Sequence, residues 1–197
     1  MAAEPREFDE LENVDIAHTR EEFRCWLENN HGSERECWLK LKRGRPTEDA
    51  FAYLDAVGEA LCFGWIDGHL KSFEGCGALQ RFTPRSRGSS WSELNKERVR
   101  RLERLGKMTD VGRACLPAMG PRSFRIYEGI EGELKKARLW TRFKSFPPLY
   151  QRVRADNIQR VRSRPDEYRK RLDRLIEATR QGKLYGEWDD FGRLSMQ

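Results

Sequence analysis

The densest group of residues able to do chemistry lies between Gly64 and Asn95. It reads Gly64-Trp65-Ile66-Asp67-Gly68, then Lys71, Arg81-Phe82-Thr83-Pro84-Arg85, Ser90-Trp91 and Asn95. One carboxylate among cations, hydroxyls and indoles is a set for holding a ligand. Guanidinium groups fork onto phosphate or carboxylate, and indole rings supply apolar or stacking surface. Period-two alternation puts Trp65, Asp67, His69 and Lys71 on one side of a strand, and Ile66 and Leu70 on the other. If Phe82 joins Ile66 and Leu70 on a returning strand, Arg81 and Thr83 fall beside Trp65, Asp67 and Lys71. The basic loop with Arg85 and Arg87 then leads into Ser90-Trp91-Ser92-Glu93, a capping box whose free N–H groups favour an anion. Asn95 sits in the apolar stripe of that helix and needs a hydrogen-bond partner. The expected ligand-binding residues are therefore Trp65, Asp67, Lys71, Arg81, Thr83, Arg85, Ser90, Trp91 and Asn95.

Each of these residues also has a purely structural role open to it. Asp67 can bridge to Lys71 or Arg81, Ser90 can serve only as a cap, the tryptophans can be packing, and Asn95 can tie down a loop. Asp67 is the one candidate for acid/base work, but a single acid among cations is held ionised, which suits orientation better than proton transfer. No nucleophile–base pair and no phosphate-binding glycine loop is present. His18, His31 and His69 have no metal-ligand spacing with one another or with Cys25, Cys37, Cys62, Cys76 and Cys115. No metal or cofactor is expected. Three readings stay open: a binding module for a small anionic or aromatic ligand, a nucleic-acid-binding protein using basic C-terminal helices, and an enzyme with Asp67 as its acid/base.

The elements that must position these residues follow from pattern. Thr19-Arg20-Glu21-Glu22 is a capping box that opens a helix with Phe23, Trp26 and Leu27 on one face. Cys37–Lys42 alternates as a half-buried strand, and Thr47 caps a second helix with Leu54, Val57, Gly58 and Leu61 as its stripe. Phe63–Phe73 and Leu79–Thr83 read as strands joined by the turn Glu74–Gly77. A helix from Ser90 to Leu105 ends at Gly106. The order α-β-α-β-β-α predicts an α+β fold, a small antiparallel sheet with helices on one face. Beyond it, helices follow Pro147-Pro148 and Ser163-Arg164-Pro165-Asp166. The second of these is lined by Tyr168, Leu172, Leu175, Ile176 and Thr179 and stopped by Gly182. Residues 120–145 carry no decisive pattern. The expected organisation is a flexible acidic arm over 1–18, an α+β core over 19–120, and a helical basic segment over 121–197 packed on that core.

Composition bounds the rest. The chain of 197 residues is 38% apolar and 36% charged, with six Trp and ten Phe, which implies a small real core under a highly charged surface. No apolar run approaches the roughly 20 residues that span a bilayer, and the acidic start lacks an apolar signal region. Free cysteines without a Cys-x-x-Cys pair fit buried thiols in the cytoplasm. The net charge of +6 hides an asymmetry. Residues 1–30 hold three basic and nine acidic side chains, whereas residues 135–183 hold sixteen basic and five acidic ones. Such a distribution points to an internal contact or an anionic partner.

The stretches Ala60-Leu61-Cys62-Phe63-Gly64-Trp65-Ile66-Asp67-Gly68, Arg81-Phe82-Thr83-Pro84-Arg85 and Ser89-Ser90-Trp91-Ser92-Glu93-Leu94-Asn95 resemble the bacterial bacteriocin-protection, or YdeI/OmpD-associated, family. The likeness extends to Trp26, Trp38 and Gly106-Lys107-Met108, and to the segment from Arg171-Leu172 to Gly182, covering about residues 20–183. Members often carry Ala-Lys where this chain has Arg160-Val161. The resemblance implies a cytoplasmic protein linked to survival against bacteriocins and cationic antimicrobial peptides, with no established catalytic mechanism. A protein of net +6 gains nothing electrostatically from capturing a cationic peptide.

Overall fold

The computed structural model describes Phe8, residues 11–86 and residues 88–195; Arg87 and part of the acidic arm lie outside the described residues. The fold is α+β, with a three-stranded antiparallel sheet and, among the described residues, eight α-helices. The chain divides into two compact units, residues 1–89 with 99–116, and residues 90–98 with 117–197.

In the first unit, α1 (Arg20–Asn30) starts as its sequence predicts. The Thr19 hydroxyl accepts the Glu22 N–H and the Glu22 carboxylate answers to the Thr19 N–H, a complete capping box. Helix α2 (Tyr53–Cys62) begins at Tyr53 and not after Thr47, because Lys42 and Tyr53 pair through their backbones and hold the intervening loop. Strands β1 (Cys37–Leu39), β2 (Trp65–Phe73) and β3 (Gly77–Pro84) lie in the order β1-β3-β2. Cys37, Leu39, Trp65, Gln80 and Phe82 share the face turned to the helices, where Phe23 of α1 meets Phe82 at 5.5 Å. Trp38, Phe73 and Leu79 occupy the other face, and Phe8 packs edge-on to Phe73 at 5.5 Å.

Part of the expected arm is fixed. Trp38 N donates to Asn13 O at 2.9 Å, and Asp15 N donates to Trp38 O at 2.7 Å, so the chain around Val14 runs parallel to β1 and covers an otherwise open edge. Of the free thiols expected to be buried, Cys37 and Cys62 are, whereas Cys25 is exposed, since it points away from the Phe23/Leu27 stripe of α1.

Inside α2 the apolar pattern is interrupted by Glu59, which is buried yet held by Arg20 and by Arg24 at 2.9 Å. Burying that carboxylate is tolerable only because two guanidinium groups satisfy it. The helix ends against α4 (Asp110–Ala114). Thr109 caps α4 and its hydroxyl also donates to Cys62 O at 2.5 Å. Gly112 touches the α2 terminus so closely that a Cβ there would sit 2.1 Å from Cys62 O. Gly64 takes φ +73°, and a Cβ on it would lie 2.7 Å from Cys115 Sγ. The first glycine of the Gly-Trp-Ile-Asp-Gly motif is thus required by backbone conformation and packing together.

The second unit holds the start of α3 (Glu93–Arg104) and four further helices: α5 (Glu128–Lys136), α6 (Trp140–Lys144), α7 (Pro148–Gln159) and α8 (Pro165–Gln181). The stripe expected on α8 is buried at Leu172, Leu175 and Thr179, the two leucines within a cluster that includes Ile130, Leu134, Phe143, Tyr150 and Ile158. Each such side chain contributes about 1.5–3 kcal/mol on burial. Gly182 stops α8 at φ +70°, in the left-handed conformation that suits glycine. Among the described residues no helix is long and apolar enough to cross a membrane.

Candidate functional site

The β2–β3 hairpin does not gather the expected residues on one face. Asp67 pairs across the strands with Phe82, but Leu70 pairs with Gln80, so β2 has one extra residue between them. This bulge at Gly68–His69 reverses the alternation beyond it. Trp65 and Asp67 lie on the helix-covered face with Phe82, whereas Lys71, Arg81 and Thr83 lie on the opposite face with Ile66, Trp38 and Leu79. The expected common face for Asp67, Lys71 and Arg81 is therefore corrected, and so is the placing of Phe82 with Ile66.

Side-chain partners separate them further. Trp65 is core: it is buried, its indole N–H donates to His31 O at 3.1 Å, and it packs edge-on to Trp26 at 5.6 Å. Arg81 donates from Nε (2.7 Å) and Nη2 (2.5 Å) to Glu36 Oε2, with its guanidinium 6.0 Å from the Trp38 ring. Lys71 sits 4.7 Å from the Phe73 ring, and Thr83 pairs across the strand with Ile66. Arg85 extends the strand, its N–H donating to Gly64 O at 2.9 Å, and it reaches Ser89 Oγ at 3.4 Å.

Ser90, Trp91 and Asn95 belong to the second unit. Ser90 is not the cap. Helix α3 opens at Glu93, and Ser92 Oγ accepts the Asn95 N–H at 3.2 Å in the capping position. Ser90 is exposed and accepts from Arg160 Nη2 at 2.9 Å. Trp91 is buried, and Asn95 Oδ1 accepts from Arg98, itself paired bidentately with Asp190 at 2.7 and 2.8 Å. The anion expected at this helix start is already present as a side chain: Asp156 Oδ2 accepts the Glu93 N–H at 3.0 Å.

What the hairpin does assemble lies around Asp67. The Tyr53 hydroxyl, at the first turn of α2, donates to Asp67 Oδ2 at 2.5 Å. The Arg43 guanidinium stands 4.4 Å over the Tyr53 ring, within cation–π range, and Arg43 Nη2 donates to Gln80 Oε1. Gln80 is buried and spends its amide N–H groups on the bulge carbonyls, Gly68 O at 2.9 Å and His69 O at 3.4 Å, with Arg81 O at 3.1 Å. One amide thus fixes the bulge that turns Asp67 toward α2 and anchors the arginine above it. Asp67 is half-buried, while Arg43, Gly68 and His69 are exposed, so the cluster opens to solvent on one side. A carboxylate, a phenol and a guanidinium presented together can hold a ligand that carries both a hydrogen-bond donor and an anionic group. Among the described residues no three His, Cys, Asp or Glu side chains gather to hold a metal ion.

The family described as Domain of unknown function (DUF8412) matches residues 16–115. The chain belongs to this family. The DUF8412 segment contains Arg43, Tyr53, Asp67 and Gln80, all nine expected site residues, and every strand of the sheet. No curated protein and no solved structure matches the chain.

Sequence reasoning missed Tyr53, Arg43 and Gln80. Tyr53 could have been found, because an aromatic hydroxyl at the start of an otherwise apolar helix needs a polar partner. Gln80 breaks the alternation of β3 as a polar residue between Leu79 and Phe82, on a strand whose neighbours are core, and Gly68 midway along β2 marks a bulge.

Proposed function

We propose that this DUF8412 chain is a cytoplasmic binding protein for a small anionic or aromatic ligand, taken up where Arg43, Tyr53 and Asp67 converge beside the β2 bulge. One observation carries the reading: the Tyr53 hydroxyl fixes the Asp67 carboxylate at 2.5 Å while the same ring carries the Arg43 guanidinium at 4.4 Å. Groups held in place before binding lose little entropy when a ligand arrives. Asp67 then orients a hydroxyl or amine of the ligand, and Arg43 takes its anionic group. The free cysteines, two of them buried, support a reducing compartment.

The motif shared with the bacteriocin-protection family supports a part in survival against bacteriocins or antimicrobial peptides. The net charge of +6 argues that this part is exercised through a ligand and not by capturing a cationic peptide. A second reading, nucleic-acid binding by the basic C-terminal helices, is favoured by Arg162 at 5.7 Å from the Tyr127 ring and Lys144 at 5.7 Å from that of Trp140, surfaces of the kind that single-strand binders use.

The test is a thermal-shift screen of the full chain against anionic metabolites and short oligonucleotides. A metabolite hit is then titrated into wild type, Asp67→Asn, Arg43→Gln and, as a control on the other face, Lys71→Gln. The reading expects binding that depends weakly on salt, is lost in the first two variants and is kept in the third. Hits confined to oligonucleotides, with affinity falling steeply as salt rises, favour the second reading. A metabolite that binds all three variants equally removes the assignment to Asp67.

A further inference from the structure

The second unit contains a group of polar donors whose needs are met only in part among the described residues, Arg154 donating to the Tyr185 hydroxyl. Arg154 of α7 and Arg174 of α8 both approach the ring of Tyr185, at 5.2 and 4.6 Å. Neither has a carboxylate partner among the described residues, although the other three arginines of α8 do: Arg169 with Asp173, Arg171 with Glu167 and Arg180 with Glu177. Arg154 is half-buried, and its Nε is buried without a hydrogen-bond partner. Tyr150 is fully buried, its ring edge-on to Tyr185 at 6.2 Å, and its hydroxyl, approached by the Tyr185 backbone N–H, has no acceptor for its own proton. Burial pushes that hydroxyl up to about 12, so at neutral pH it remains a donor. Gly186 lets Arg154 lie where it does: it adopts φ +71°, and a Cβ there would fall 2.5 Å from Arg154 Nη1.

Buried polar groups are nearly always hydrogen-bonded, and two like charges brought to one ring repel. Both costs have one remedy, an acceptor-rich anion. Its oxygens would take the guanidinium N–H groups in the forked geometry that arginine offers, and the Tyr150 hydroxyl would meet it from below. The Tyr185 ring is already occupied by the guanidinium groups, which favours a compact anion over a stacked base.

We propose that Arg154, Arg174 and the Tyr150 hydroxyl form a binding site for a phosphate group, free or as a phosphomonoester. The site lies outside the family-matched segment and is independent of the Asp67 cluster. It is tested on the full chain by isothermal titration and thermal shift with inorganic phosphate and, separately, phenyl phosphate, at an ionic strength held constant with sodium chloride. Wild type should bind and gain Tm. Arg154→Gln and Arg174→Gln should each weaken binding by about tenfold or more, the usual size of a lost charge-assisted bond. Tyr150→Phe should weaken it less, by about threefold to tenfold. Lys170→Gln, which removes the same charge elsewhere on α8, should bind as wild type does, and Asp67→Asn should too. Circular dichroism confirms that each variant is folded; Arg174 is exposed, so its variant serves even if Arg154→Gln unfolds. Binding of phenyl phosphate but not inorganic phosphate assigns the site to phosphomonoesters. The proposal is overturned if neither phosphate nor phenyl phosphate binds wild type at constant ionic strength, or if Lys170→Gln loses as much affinity as Arg174→Gln.

Discussion

Asp156 Oδ2 lies 3.0 Å from the backbone N of Glu93, so a carboxylate from α7 closes the first turn of α3. The N-terminus of a helix stabilises negative charge by its unpaired N–H groups and its dipole. Here burial opposes that effect and predominates, and the Asp156 carboxyl is pushed above its ordinary range, with the Glu93 N–H and Arg160 pulling it back.

The sign of the resulting pH dependence is fixed. A carboxyl whose folded pKa is raised binds more protons folded than unfolded, so its contribution to stability is full below the unfolded value, about 4, and declines as pH rises through the folded one. Asp156→Asn keeps an acceptor for the Glu93 N–H and removes the charge. Urea midpoints should show the variant gaining on wild type as pH rises from about 4 toward neutrality, with the two converging below about 4. Glu103, Glu133, Glu167 and Glu177, held low by Arg113, by Lys136 with Arg169, by Arg171, and by Gln181 with Arg180, weaken both proteins alike as pH falls and cancel in the difference. A wild type that gains on the variant with rising pH contradicts this account.

The cap of α3 is Ser92, whose Oγ accepts the Asn95 N–H. Ser92→Ala should cost about 1 kcal/mol, as lost serine caps do. Ser90→Ala breaks only an exposed contact with Arg160 and should change stability by less than about 0.5 kcal/mol. Chemical denaturation of the two variants side by side decides it; equal losses would return the cap to Ser90.

Gln80 is the buried amide on which the bulge depends. Gln80→Leu preserves the approximate volume and strands the carbonyls of Gly68 and His69, as well as the Arg43 guanidinium. The expected loss is about 2–3 kcal/mol, the cost of leaving buried polar groups unmade. Amide exchange should quicken at residues 67–71 in particular. A fall in stability with unchanged protection there would assign Gln80 to general packing.

Two glycines provide a matched pair. Gly112→Ala drives a methyl group into Cys62 O and should cost about 3 kcal/mol, the upper end for overpacking. Gly132, within α5, has open space for 4 Å around the point where a Cβ would stand, and Gly132→Ala should stabilise by about 0.5–1 kcal/mol through helix propensity. Thermal melts of both test whether α4 docks on α2 as tightly as this.

The α+β fold was legible because its signals are local: the Thr19–Glu22 box, the Glu74–Gly77 turn and the stripe from Tyr168 to Thr179 each declare an element from a few residues. The candidate site was less legible because it depends on phase. Strict alternation carries Asp67 and Lys71 to the same face, and one extra residue at Gly68–His69 separates them. Nor does the sequence around Glu93 announce that its N–H partner is Asp156, since that contact spans 63 positions. Tertiary partners of this kind decide between Ser90 and Ser92 as the cap, where local pattern allows both.

The bulge also acts as a punctuation mark in the length of the hairpin. Removing a single residue at Gly68 or His69 would leave a plain ladder, with Leu70 still opposite Gln80 and Lys71 still opposite Leu79, each on the face it has now. A relative could therefore lose one residue at the bulge and keep both faces of the sheet, whereas a one-residue loss between Leu70 and Phe73 would carry Phe73 to the other side, away from Trp38 and Phe8. In an alignment of the family a one-residue gap in β2 should fall at Gly68–His69 and not between Leu70 and Phe73.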